Sequence, residues 1–211
     1  AGAGPRVIDL DGRMLLPGFV EAHIHPLLGG LLTSGVDLQV ADREAALSAV
    51  ADYARANPDG LVRGFGWRMD MFGPGGPHRD VLDTVLPDRP ALLFAIDGHS
   101  AWVNSETLRA AGITRDSPDP IPGFSYYARD ADGEPTGFVL EAPALLALLG
   151  RIDPPTPDRL AALFGEWAVQ AAAAGITAVF DAGMPPLAED PDGLADIYLD
   201  TEARGALPFR V

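Results

Sequence analysis

Apolar positions along the chain fall into short alternating runs and helix-spaced stripes, separated by Gly and Pro. Arg6-Val7-Ile8-Asp9-Leu10 alternates, Asp11-Gly12 is a turn signal, and Arg13 to Leu16 forms a second short run, which together predict a hairpin. After Pro17-Gly18, the apolar Val20, Ala22 and Ile24 alternate with Glu21, His23 and His25, and Pro26 ends the run. That period of two predicts a strand with the three apolar side chains turned to packing and the two histidines side by side on the other face. Residues 27–40 are rich in Leu and Gly without a period and predict a loop with a little helix.

A first helix begins at Asp42, a suitable N-cap. It carries Leu47, Val50, Ala51 and Ala54 and stops at Asn57-Pro58-Asp59-Gly60. Residues 61–67 predict a strand, Met69 to Pro77 a loop, and His78-Arg79-Asp80 the start of a short helix. Residues 91–96 are continuously apolar, as in a strand covered on both faces, and lead into the polar and aromatic cluster 97–104. Ser105 is placed to cap a helix closed by Gly112. Strands are predicted at 126–129 and 136–141, the latter ending on Glu141. Thr156 and Pro157 open a long helix with the stripe Leu160, Leu163, Phe164, Trp167, Ala168 and Ala171. A β-branched strand at 176–181, a helix at 191–203 and a strand begun at 207–211 complete the helix–strand alternation of an α/β fold.

Composition narrows the function. Of the 211 residues 47% are hydrophobic, with 24 Gly and 20 Pro, which is a globular composition rich in turns. The net charge of −15 repels phosphate backbones, so nucleic acid is not an expected partner. No apolar run approaches a membrane span, and no membrane partner is expected. No leader is visible at Ala1-Gly2-Ala3-Gly4-Pro5-Arg6, so a cytoplasmic location is the expectation. The chain has no cysteine, so any bound metal must be held by histidine and carboxylate.

Two neutral imidazoles on one strand face make half of a zinc shell, which marks His23 and His25 as candidate ligands. An exposed pair at a strand end, or a histidine bonded in the core, is the plainer reading. His99 is either a site residue or a loop histidine bonded to a backbone carbonyl. Trp67 and Trp102 read as packing or as pocket walls. Glu141, ahead of Ala142-Pro143, could serve as a ligand, a general base or a helix N-terminal charge.

Four segments together carry a family resemblance: Leu16-Pro17-Gly18-Phe19 with His23 and His25, then Asp97-Gly98-His99-Ser100-Ala101-Trp102-Val103-Asn104, then Asp132-Gly133-Glu134-Pro135-Thr136-Gly137, then Ala174-Gly175-Ile176-Thr177-Ala178-Val179. The chain resembles the YtcJ-like (amidohydrolase 3) branch of the metal-dependent amidohydrolase superfamily over essentially its whole length. The resemblance implies an α/β fold, a partial TIM-type (β/α)8 barrel with a long α+β insertion after its first strand, at about 40–155. Residues 1–16 would be a remnant of a small β-sandwich domain and 17–211 the partial barrel. It also implies one or two divalent ions, in the first place Zn²⁺, held by His23 and His25 with Glu141 as an additional ligand. Asp97, His99, Trp102 and Trp67 would contact the substrate. The reaction implied is hydrolysis of a non-peptide carbon–nitrogen bond in a small amide-type molecule by a metal-activated water.

The family's other ligands and its catalytic aspartate come from later strands, beyond residue 211. The chain is therefore expected to be a piece of a longer enzyme, inactive or nearly so by itself, and a homo-oligomer is compatible with it. The same metal-water chemistry on C–O or C–Cl bonds stays open. From a different class, a non-catalytic α/β interaction or scaffold module fits the missing ligands.

Overall fold

The computed structural model describes residues 7–183 and 192–211. The strands are β1 (Phe19–Ile24), β2 (Val36–Asp37), β3 (Val62–Trp67), β4 (Ala91–Ala95), β5 (Ser100–Val103), β6 (Tyr126–Arg129), β7 (Pro135–Leu140) and β8 (Ile176–Asp181). The helices are α1 (Pro26–Leu32), α2 (Arg43–Ala56), α3 (Arg79–Asp83), α4 (Ser105–Ala111), α5 (Ala142–Ile152), α6 (Pro157–Ala173) and α7 (Asp192–Ala203). Six strands form one sheet in the order β2-β3-β4-β5-β7-β6, and β1 pairs with β8 in a separate two-stranded sheet.

The apolar run of β4 explains how the larger sheet is buried. Leu92 and Phe94 enter a core shared with α1, α4, α5, α6 and α7, while Ala91, Leu93 and Ala95 enter a second core with α2 and α3. A strand covered on both faces needs no polar alternation. β2, β3 and β4 run parallel; β5, β7 and β6 are antiparallel neighbours. The reversal after β4 is a tight turn in which the Gly98 N–H donates to the Ala95 carbonyl at 3.0 Å, with φ +71° at Gly98. Residues 97–103 are thus a turn followed by a buried strand, because the Ser100–Val103 segment pairs with both β4 and β7.

β1 and β8 run parallel, and Arg210 adds a single parallel bridge beside Ala178. α6 lies between the two strands in sequence and packs against α1. Val179 and Ile24 reach the main core. The expected packing of Val20 and Ala22 does not occur: both are exposed, Val20 by 70%. The β1 register also shifts between Glu21 and Ile24, which pair with Val179 and Asp181 respectively. Three steps on one strand against two on the other is a bulge, and it breaks strict alternation just ahead of His25.

Further expectations meet the structure as follows. The described part of the N-terminal segment, from Val7 to Gly18, holds no strand, only a turn in which the Arg13 N–H donates to the Leu10 carbonyl at 2.9 Å. Val7, Ile8, Met14 and Leu15 are exposed, and two short strands without a packed face are marginal. The little helix expected in the 27–40 region is α1, with Pro26 at its first turn, and the short strand β2 is an addition to it. The unexpected α5 packs Leu145, Leu148 and Leu149 into the core; its leucines form a helical stripe behind a proline near the first position. Asn104, not Ser105, caps α4. The predicted strand at 207–211 is present only as the Arg210 bridge. Arg6, Pro191 and the Pro-rich loop before it lie outside the described residues.

Candidate functional site

His23 lies near the end of β1, and His25 is the residue that caps α1. Their rings approach edge to face, with centroids 5.3 Å apart and planes at 88°. The next turn after β8 reaches the same place: the Ala182 N–H donates to the Ile24 carbonyl at 2.8 Å, and the Gly183 carbonyl accepts a hydrogen bond from His25 Nδ1. A carbonyl can only accept, so the His25 proton must sit on Nδ1. The Nε2 lone pair is then left free, as a ligand to a cation requires. The donor set therefore suits a divalent cation: two imidazoles on one strand end, one of them held in the ligating tautomer.

The other candidates lie elsewhere. His99 is exposed by 66% in the turn between β4 and β5, and its Nδ1 meets Glu141 Oε2 at 3.0 Å. That contact, more than burial opposes it, raises the His99 pKa above its ordinary value. Asp97 is exposed, and its Oδ1 accepts from the His99 backbone N–H at 2.8 Å. Glu141 follows β7 with φ +67° and ψ 153°, a conformation unusual for a residue with a Cβ, and its N–H donates to the His99 carbonyl at 2.7 Å. Glu141 is thus paired with His99 and does not join the histidine pair. Among the described residues no three His, Cys, Asp or Glu side chains gather around one point. Glu141 is therefore not a third ligand in this arrangement, its carboxylate being engaged by His99 instead.

Trp67 and Trp102 are fully buried in the second core and stack edge to face on Phe72. Their indole N–H groups donate to the Leu93 carbonyl at 2.8 Å and the His78 carbonyl at 3.0 Å. Neither has surface left for a substrate, so the packing reading of both tryptophans is the one the structure supports. The residue that sequence reasoning passed over is Gly183. It contributes a backbone carbonyl, and no side-chain pattern announces one; the only clue was its place after a strand that could lie beside β1.

The sequence profile of the amidohydrolase family matches residues 6–211. The chain belongs to that family, and to its YtcJ-like branch. This amidohydrolase-family chain is 38% identical to the putative amidohydrolase YtcJ of Bacillus subtilis (strain 168) over 138 residues, 64% of the chain and 26% of the relative. It is 30% identical to the N-substituted formamide deformylase of Arthrobacter pascens over 217 residues, 99% of the chain and 39% of that enzyme. Among solved structures it resembles a metal-dependent hydrolase from Pyrococcus furiosus, with a TM-score of 0.56, 23% identity, and coverage of 92% of the chain and 36% of the other. The amidohydrolase-family chain therefore spans between about a quarter and two fifths of the length of these proteins.

Proposed function

We propose that this chain contributes His23 and His25 as ligands of a divalent cation, Zn²⁺ in the first place, in a hydrolase that cleaves the carbon–nitrogen bond of small amide-type molecules. The observation that carries the reading is the histidine pair itself, with His25 Nδ1 bonded to Gly183 and Nε2 free. The family, the name of the deformylase relative and the metal-dependent hydrolase neighbour support it. A bound divalent cation would lower the pKa of a water to about 7 and polarise a carbonyl oxygen. The protein's own part is to hold two imidazoles at fixed angles and to present them at the end of a parallel strand.

We further propose that β1, β8 and the Arg210 segment are the first three strands of a (β/α)8 barrel, with the six-stranded unit inserted after the first. Their parallel pairing supports this, and the strand-end position of the histidines matches where such barrels place their sites. His99 and Asp97, both exposed, are proposed as substrate contacts. Zinc is usually four-coordinate, so two imidazoles complete only half a shell. Turnover by these 211 residues alone is accordingly proposed to be negligible. The absence of a third ligand among the described residues favours one other reading, a non-catalytic module.

Metal content separates the two. In an equilibrium titration with Zn²⁺ against a chromophoric competitor, the chain is expected to bind about one equivalent, weakly as half a shell allows, and His23→Ala and His25→Ala to lose that binding. Equal zinc in all three proteins would overturn the hydrolase reading.

A further inference from the structure

The bond that sets the His25 tautomer is itself supported. Asp181, the last residue of β8, accepts from the Gly183 N–H through Oδ1 at 3.0 Å. Its Oδ2 accepts from the Tyr198 hydroxyl of α7 at 2.7 Å. Tyr198 is held in place by its ring, which meets Phe164 of α6 edge to face with centroids 5.0 Å apart. Gly183 has φ +91°, a conformation in which a glycine carbonyl can turn towards His25. We infer that Asp181 and Tyr198 are positioning residues for His25: the phenol orients the carboxylate, the carboxylate fixes the 181–183 turn, and the turn's carbonyl holds the imidazole proton on Nδ1.

Each link has a direction that chemistry allows. The carboxylate only accepts, so both Tyr198 O–H and Gly183 N–H must donate. Burial and the adjacent Asp181 both push the Tyr198 phenol far above its ordinary range, so it stays a donor at any working pH. The relay is a positioning device. It acts by leaving Nε2 of His25 as the only ring nitrogen free for a cation, the task that partners of metal-binding histidines commonly perform.

The inference rests on the metal reading above, and two readouts keep their failures apart. The first needs no metal: ring nitrogen NMR of the ¹⁵N-labelled, metal-free chain. Wild type is expected to show His25 as the Nδ1–H tautomer, and Asp181→Ala to move it towards a mixture with Nε2–H. The second is Zn²⁺ affinity by competition with a chromophoric chelator. Asp181→Ala should bind about 10- to 100-fold more weakly, Tyr198→Phe a few-fold more weakly.

Asp181→Asn keeps an oxygen for Gly183 and should stay close to wild type in both readouts. Tyr198→Phe keeps the ring contact with Phe164, so its effect reports the hydroxyl and not lost packing. An unchanged His25 tautomer in Asp181→Ala overturns the relay. A changed tautomer with zinc affinity indifferent to His25→Ala upholds the relay and sinks the metal reading instead.

Discussion

His99 and Glu141 share a hydrogen bond across a turn, and its consequence is a pH dependence of definite sign. The contact raises the His99 pKa above 6.5, the value of a free histidine. A group with a raised pKa in the folded state adds stability that is fully present below its unfolded pKa and is lost as pH rises through the folded one. The gain is small because His99 is mostly solvent-exposed and screened. An NMR titration should place the His99 midpoint above 6.5, and Glu141→Gln should bring it down. A wild-type midpoint at or below the free value would rule out the pair. Reading the sequence showed both residues as candidates for chemistry but not their pairing, because 42 positions separate them along the chain.

Asn104 shows how a motif residue can be structural. Its Oδ1 accepts from the backbone N–H of Thr107 at 3.0 Å and of Ala91 at 3.1 Å, capping α4 and starting β4 at once. Its Nδ2 donates to the carbonyls of Leu86 at 2.8 Å and Arg89 at 2.7 Å. The side chain is fully buried, so Asn104→Ala would orphan several groups that water cannot reach. A loss of about 3 kcal/mol or more is expected, combining a lost cap with unsatisfied buried groups. Urea unfolding measures it, and a loss below about 1 kcal/mol, the size of an ordinary single hydrogen bond, would contradict this role. Local pattern points to Ser105 as readily as to Asn104, since Ser and Asn are near-equal caps and only the Thr107 and Ala91 contacts distinguish them.

Arg63 joins the two parts of the fold. From β3 its guanidinium donates to the Leu31 carbonyl at 3.0 Å and to Ser34 Oγ at 3.1 Å, and pairs with Asp153, which also pairs with Arg159 of α6. The six-stranded sheet is thereby tied to α1, the helix that starts at the histidine pair. Burial, opposed by Asp153, lowers the Arg63 pKa from its ordinary value. Removing one partner of a buried pair leaves a charge without compensation, so Asp153→Ala is expected to cost about 3 kcal/mol. Adding Arg63→Met should recover part of that loss, since the orphaned charge disappears with it. Denaturant midpoints of the single and double variants test this, and additive losses would contradict it.

Several features that act over a few residues were legible. The Asp42 and Thr156 caps, the stripe of α6, the apolar run of β4 and the two-residue spacing of the histidines all follow from neighbours along the chain. The tertiary structure decided what depends on distant partners. It left Val20 and Ala22 exposed, because no layer among the described residues covers that part of the two-stranded sheet, and it buried Trp67 and Trp102. It parted Glu141 from the histidine pair and supplied His25 with the Gly183 carbonyl. Spacing sets which way a side chain can point, but only the approach of another segment sets what it meets there.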